Sequence, residues 1–504
     1  MGIEGTTEAG AAAPRRRWWH MLARRRFGPG LAVLVAVAAG SVACAGDEPA
    51  DRPASAGGSP AAWVRAGGDL ANTRAAGDET TLGPDTVGDL RPLWDVDGIR
   101  GVTGTPVVAE GVVYVGDWTG HVRALDAATG EERWAYDLDG NWVGGSLVVD
   151  GDLVYVGTFD ARVVALDRAT GEPVWETAIG DHPKAVVFGS PVVAEGLVVI
   201  GVGSFEVFVP GDPPTFRGHI VALDAATGEE AWRFWVTAGD ATEGPGVSIW
   251  SSPAIDAERG VLYIGTGQAY ALPAPPRSDA LLALDLRTGA EVWSTQFTAG
   301  DAWTIAEPSG LDADVGAMPN LFDAGGTDAV GVGDKAGTYR ALDRDTGEIL
   351  WERKLTAGGL QGGVMASAAV AGGTIYVASN AESQNADLVA LDAATGDEVW
   401  RVGVGAHITG PVTWANDVVY VADDSGRIAA YDARDGERLW AYSVTFPAAG
   451  GIAVVDGTVF ASWGWWLASP PDDADGGLLA FGLPDGGGSG DGGDDDGGGL
   501  SGAG

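Results

Sequence analysis

ALDAATGEERW, residues 124–134, is one of seven near-copies of a single unit. The others are ALDRATGEPVW (165–175), ALDAATGEEAW (222–232), ALDLRTGAEVW (283–293), ALDRDTGEILW (341–351), ALDAATGDEVW (390–400) and AYDARDGERLW (430–440). Only the last breaks the pattern A-x-D-x-x-T-G-x-x-x-W, with Asp435 in place of Thr. The apolar alternation before Asp reads as a strand. Thr-Gly reads as a turn, in which Asp accepts hydrogen bonds from turn N–H groups and Gly takes positive φ. Trp then lies on the next strand and offers a broad plate for packing against the neighbouring copy. Upstream of each hairpin come two further apolar runs, as in TPVVAEGVVYVGDWTGHVRALD (105–126), so each unit holds four strands. Four-stranded units repeating at this length are the blades of a β-propeller.

The ends of the repeat array set the blade count. Trp94 in RPLWDV precedes all seven copies without a hairpin partner, and GLLAFGLP (477–484) follows them without a Trp strand. Pairing the two completes one more blade, so the expected fold is an all-β, eight-bladed β-propeller over residues 63–484 whose last blade is closed by the N-terminal strand. A solenoid of seven units would leave two open edges.

Composition agrees with many short strands and tight turns. Of 504 residues 81 are Gly and 26 Pro, yet apolar residues make up 45% and Trp numbers 20. That excludes a disordered chain and a helical bundle. Acidic residues number 70 against 30 basic ones, a formal charge of -40. Nucleic acid and anionic membrane surfaces are excluded as partners by repulsion. With Cys44 as the only cysteine, neither an internal disulfide nor a covalent c-type haem can form, so any electron carrier lies on another molecule.

The N-terminus reads as an export signal over residues 1–44: Arg24–Arg26, an apolar run from Leu31 to Ala39, then small residues. The run is too short to span a bilayer. Cys44 after Ser-Val-Ala stands where a bacterial lipoprotein is acylated, which places the ring on the outer face of the cell membrane; Ala43-Cys44-Ala45 also fits an A-x-A cleavage site and simple secretion. RRRF has the form of a twin-arginine signal, and Met21 is an alternative start. Residues 45–62 read as a flexible tether and 485–504, rich in Gly and Asp, as a disordered tail.

Spacing locates the site. Successive Trp residues of the array, from Trp94 to Trp440, lie 40, 41, 57, 61, 58, 49 and 40 residues apart, so three adjacent units are enlarged. Their added length falls in loops joining the second strand to the third and in loops between units, all on the ring face opposite the Thr-Gly turns. Enlarged loops on neighbouring blades build sites over the channel. Trp118, Trp142, Phe159, Trp463, Trp465 and Trp466 add aromatic rings to that face. Such a rim suits a planar cofactor, an extended apolar substrate, or packing between large loops.

With these residues in view, the chain resembles the pyrroloquinoline-quinone (PQQ) dependent alcohol dehydrogenases, including the branch that oxidises polyvinyl alcohol. The Trp motif itself is shared with non-enzymatic assembly scaffolds and implies the fold only. The loops imply more. In LDADVGAMPNLF (311–322), Asp312 matches the family's catalytic base; in GDKAGTYRALD (333–343), Lys335 matches the residue contacting the quinone oxygens; Trp250 in WSSPAID matches the tryptophan that stacks on the cofactor. Glu206, with Arg217-Gly218 after an insertion, matches a calcium-ligating glutamate, and Gln268 stands where the family has an asparagine ligand. The resemblance implies PQQ bound near Lys335, Trp250 and Arg217, and calcium bound by Glu206, Gln268 and Asp312. Asp312 would take the alcohol proton as hydride passes to the quinone. A small or polymeric alcohol is then the substrate, and a separate molecule accepts the electrons. The alternative is a surface-anchored propeller without cofactor, acting as a binding or assembly scaffold, which has no use for Asp312 or Lys335.

Overall fold

The computed structural model describes residues 62–484 apart from 211–212, 241, 309, 360–361, 384 and 465–475. The export signal with Cys44, nearly all of the tether, Trp465, Trp466 and the acidic tail therefore lie outside the described residues. Among the described residues no helix is long and apolar enough to cross a membrane.

Eight antiparallel sheets surround a channel. Blade 1 spans residues 107–137, blade 2 148–178, blade 3 192–235, blade 4 254–296, blade 5 320–354, blade 6 369–403 and blade 7 413–443. Blade 8 takes three strands from residues 452–482, and its outermost strand is Arg91–Asp97, paired antiparallel with Gly477–Gly482. The ring closes as the unpaired Trp94 and the terminal GLLAFGLP run require.

The motif chemistry recurs blade by blade. In every sheet a bulge sits beside the Trp, which faces an Ala of the third strand: Trp134 opposite Ala124, Trp293 opposite Ala283, and Trp94 opposite Ala480. The indole N–H crosses to the next blade, Trp94 donating to the Ala127 carbonyl at 3.0 Å, Trp134 to Arg168 at 3.0 Å and Trp232 to Leu286 at 2.9 Å. Trp440 completes the circuit by donating to the Leu90 carbonyl at 3.2 Å, just before the closing strand. The turn glycine lies beneath the preceding blade's indole. At Gly289, with φ +69°, a Cβ would stand 2.5 Å from a Trp232 ring carbon, so the position needs Gly for backbone and for space.

Along the channel each first strand carries three layers. Trp250 lies at one end of its segment, Ser252 in the middle, and Ile255 toward the motif-turn end. At the middle level, serines tie blade to blade: the N–H groups of Thr105, Ser146 and Ser190 donate to the hydroxyls of Ser146, Ser190 and Ser252 at 2.7–2.8 Å. At the motif-turn end, residues 63–76 run round the inside of the ring from blade 1 to blade 7.

Candidate active site

A recess opens on the face opposite the motif turns. Its walls come from blades 3, 4 and 5 and the loops between them, the three enlarged units. Phe188, Phe208, Trp250, Tyr270 and Trp303 form the apolar part, and Gln268, Asp312, Asp314 and Lys335 converge at one corner. The enlarged loops brace one another through single bridges, Arg217 with Gly246, Gly246 with Ala269, and Ala269 with Ala302.

Trp250 is seated by the next blade. A Cβ on Gly316 would fall 1.7 Å from its six-membered ring, so only Gly lets the chain after Asp314 pack against the indole.

The polar corner is buried and charged. Lys335 Nζ donates to Asp312 Oδ2 at 2.5 Å and lies 3.6 Å from Asp314 Oδ2. All three residues are at most 5% exposed. Burial opposes the Lys335 charge, but the two carboxylates outweigh it and hold the ammonium above its ordinary range. Burial also pushes the Asp314 carboxyl up to about 7, reinforced by the Asp312 charge and offset in part by Lys335. The Gln268 backbone N–H donates to Asp314 Oδ1 at 2.7 Å, and its side-chain amide abuts the same carboxylate. With its nitrogen toward Asp314 the amide donates to Oδ2 at 3.0 Å; with its oxygen there, a proton or cation must lie between the two oxygens.

Two buried acids support this corner, and sequence reasoning missed both. Asp301 Oδ1 accepts from the Leu311 N–H at 2.7 Å and Oδ2 from the Ala313 N–H at 2.9 Å, bracketing Asp312. Asp312 has φ +55°, a left-handed conformation that this bracket stabilises. Asp279, at φ +51°, is fully buried and neither carboxyl oxygen has a hydrogen-bond partner among the described residues. Burial, with Asp314 and Asp301 nearby, pushes its carboxyl well up. The acid in GDAW (300–303) and the one in PRSDA (276–280) carry no motif that marks them.

The structure brings Asp312, Lys335, Trp250 and Gln268 together and sets Glu206 and Arg217 apart from them. Glu206 does not line the recess. Its Oε2 accepts from the Thr215 and Phe216 N–H groups at 2.8 and 2.7 Å, and Oε1 faces His182 and Lys184 at 3.6 Å each. Arg217 lies over the Trp235 ring at 4.4 Å and donates to Thr237. Both residues lie in the loop joining the second and third strands of blade 3, and these contacts engage their side chains. Among the described residues no three acid, His or Cys side chains gather as a metal cluster. At the corner, Asp312, Asp314 and the Gln268 amide offer oxygen atoms of the kind a hard cation takes, while Glu206 lies outside the lining of the recess. Of the aromatic residues on this face, Trp118, Trp142 and Phe159 pack on one another at 5.0–5.7 Å and join the core that includes Trp250; Trp463 stacks on Phe446.

The glucose/ethanol/alcohol dehydrogenase β-propeller model of the PQQ family matches residues 63–367, and the model of the outer membrane protein assembly factor BamB matches residues 335–480. Over 377 residues the chain is 28% identical to a polyvinylalcohol dehydrogenase of Pseudomonas sp, covering 66% of this chain and 53% of that protein. It is 28% identical to the quinohemoprotein alcohol dehydrogenase ADH-IIG of Pseudomonas putida, covering 64% and 50%. The chain thus spans about half the length of the curated relatives it matches. The crystal structure of quinohemoprotein alcohol dehydrogenase from Comamonas testosteroni superposes with a TM-score of 0.73 at 22% identity over 91% of this chain and 84% of that one, which shows the shared fold. Motif, ring and family model agree: the chain belongs to the PQQ β-propeller family of glucose, ethanol and alcohol dehydrogenases.

Proposed function

We propose that the protein oxidises an alcohol with PQQ bound in the recess, outside the cytoplasm. The observation that carries this reading is the Lys335–Asp312 pair at 2.5 Å, buried in the one corner where an otherwise aromatic recess turns polar. A flat heteroaromatic quinone would be held between the ring walls of Trp250, Tyr270 and Trp303, with Lys335 supplying positive charge at the polar corner. When bound, PQQ supplies the acceptor for the electron pair of the alcohol C–H bond.

The chain's own residues do the rest. Asp312, bracketed by Asp301, offers a carboxylate oxygen to the substrate hydroxyl and takes its proton. Lys335 keeps that carboxylate oriented and presents positive charge where negative charge develops. Phe208, Trp303 and Val207 narrow the approach and exclude water. Calcium, where bound, is held by the oxygens of Asp312, Asp314 and Gln268 and offsets their charge. The substrate class extends to polymeric alcohols by analogy with the polyvinyl alcohol branch, and the electrons pass on to a separate acceptor. On this reading export and a lipid on Cys44 anchor the ring at the outer face of the cell membrane, and simple secretion is the alternative.

A scaffold without cofactor leaves the buried charged corner unexplained. The full chain titrated with PQQ and calcium should quench Trp fluorescence saturably and reduce a dye in the presence of alcohol. Asp312→Asn should retain the quenching and lose dye reduction by at least about a hundredfold. Absence of saturable quenching removes the cofactor reading altogether.

A further inference from the structure

The N-terminal end of the ring does something that neither the repeat nor the recess explains. Residues 63–76 run round the inner edge of the channel and hydrogen-bond in ring order to the innermost strands of six blades. Trp63 exchanges N–H and C=O bonds with Val108 of blade 1, at 2.8 and 2.9 Å. The carbonyls of Val64, Leu70, Ala71, Thr73 and Arg74 accept from the N–H groups of Val149, Ile255, Leu321, Val370 and Trp414, in blades 2, 4, 5, 6 and 7. Ala75–Ala76 then adds as a parallel strand beside Thr413–Ala415.

One buried side chain ties the segment together. Arg74 is 0% exposed and donates to the Ala66 carbonyl at 2.7 Å, the Val412 carbonyl at 2.7 Å and Thr413 Oγ1 at 3.0 Å. A buried guanidinium with these partners fixes both ends of the segment and the inner strand of blade 7. Beyond the segment, Glu79 Oε2 accepts from the Gly457 N–H of blade 8 at 2.9 Å, while Oε1 accepts from Thr81 and Leu82. Asn416 donates to the Leu82 carbonyl at 3.0 Å. Asn416 and Gly457 belong to turns between first and second strands, on the motif-turn face.

The recess lies at the other end of the same strands. In blade 4 the chain passes from Trp250 in the recess through Ser252 to Ile255 at the segment, and in blade 5 from Asp314 to Leu321. Five to seven extended residues cover roughly 17–23 Å.

We propose that residues 63–76 are a strap that closes the channel opposite the recess, opens as one unit, and passes the preceding chain to that blind face, so that the recess opens away from it. Such cooperative opening of a contiguous segment is the ordinary form of sub-global unfolding. This inference does not rest on the PQQ reading, and its test uses no cofactor.

Hydrogen exchange on the full chain tests the unit. Arg74→Met should raise exchange at Val149, Ile255, Leu321, Val370 and Trp414 together by tenfold or more, while Gln268 and Lys335 keep their protection. Acceleration confined to residues 412–414 overturns the single unit. Should Arg74→Met fail to fold, Glu79→Gln at the strap's exit must show the same joint rise, and scattered or absent change again sinks the proposal. For the face, paired spin labels in a Cys44→Ser background decide: Ala62→Cys should lie closer to Thr129→Cys, on a motif turn, than to Thr119→Cys on the recess side. The reverse order overturns that half.

Discussion

At the scale of single residues, acids drawn into the ring separate into those whose oxygens the backbone satisfies and those whose carboxyl is pushed up by loss of water. Asp301 spends both oxygens on backbone N–H groups around Asp312. Asp424, in the turn joining the second and third strands of blade 7, has a single side-chain donor, Thr409 at 2.7 Å. Burial pushes its carboxyl up to about 7, with the neighbouring Asp423 adding to the rise and Thr409 opposing it. The folded state therefore binds this proton more tightly than the unfolded chain, in which the carboxyl ionises near 3.8. Stability should fall as pH climbs from about 4 to about 7 and level off above, by at most about 4 kcal/mol and less where water reaches the carboxyl. Asp424→Asn should flatten that part of a denaturation-versus-pH curve, gaining on the parent at pH 8 and not at pH 3; parallel curves would show that the carboxyl is ionised throughout. At this scale the sequence discloses residues whose chemistry is announced by a loop motif. Asp312, Lys335 and Trp250 sit in such loops, whereas Asp301 acts on the backbone of residues 311 and 313, and a carboxylate that binds main-chain N–H groups has no partner side chain to betray it.

The elements are held by one device repeated, the indole of one blade lying over the glycine turn of the next. Two glycines, Gly111 in the turn between the first two strands of blade 1 and Gly289 in a motif turn, separate a backbone cost from a packing cost. Gly111 has φ +75° with open space where a Cβ would go, whereas Gly289 has φ +69° and a Trp232 ring carbon 2.5 Å from that point. Gly111→Ala should cost about 1 kcal/mol, the strain of a left-handed residue. Gly289→Ala should cost about 3 kcal/mol, because the indole must move as well. Chemical denaturation of both variants measures the difference, and equal losses would mean that the indole gives way without cost. The blades were legible for the same reason that this device works: Asp, Thr, Gly and Trp act locally or on the next copy, so their spacing is visible in the chain. The strap was not legible. It contributes backbone carbonyls to strands up to some 340 positions away in sequence, and apart from Arg74 its side chains follow no period. The contacts of Glu206 with residues 215–216 and of Arg217 with Trp235 were not legible either, since the folded loop sets them and no spacing in the chain announces them.

Over the whole molecule, 70 acids against 30 bases set a repulsion that compactness must overcome. Many of the arginines are already engaged, as in Arg259 with Asp256, Asp328 and Asp345, or Arg401 with Asp387 and Glu398, so the surplus acids have few cations left to meet. Many face solvent on the motif turns, where Glu131, Glu172, Glu229 and Glu348 recur from blade to blade on one face of the ring. Salt acts on both populations in opposite directions. It weakens the exposed pairs, each worth at most about 1 kcal/mol, and it screens the longer-range repulsion, whose reach shrinks from about 10 Å at 0.1 M to about 3 Å at 1 M. With a formal charge of -40 the second effect should prevail. The melting temperature should rise by several degrees between 0.05 and 1 M sodium chloride, and most of that rise should come in the first few tenths molar, where the screening length changes fastest. A melting temperature that falls over this range would mean that the arginine pairs, and not the uncompensated acids, govern the electrostatics of the ring.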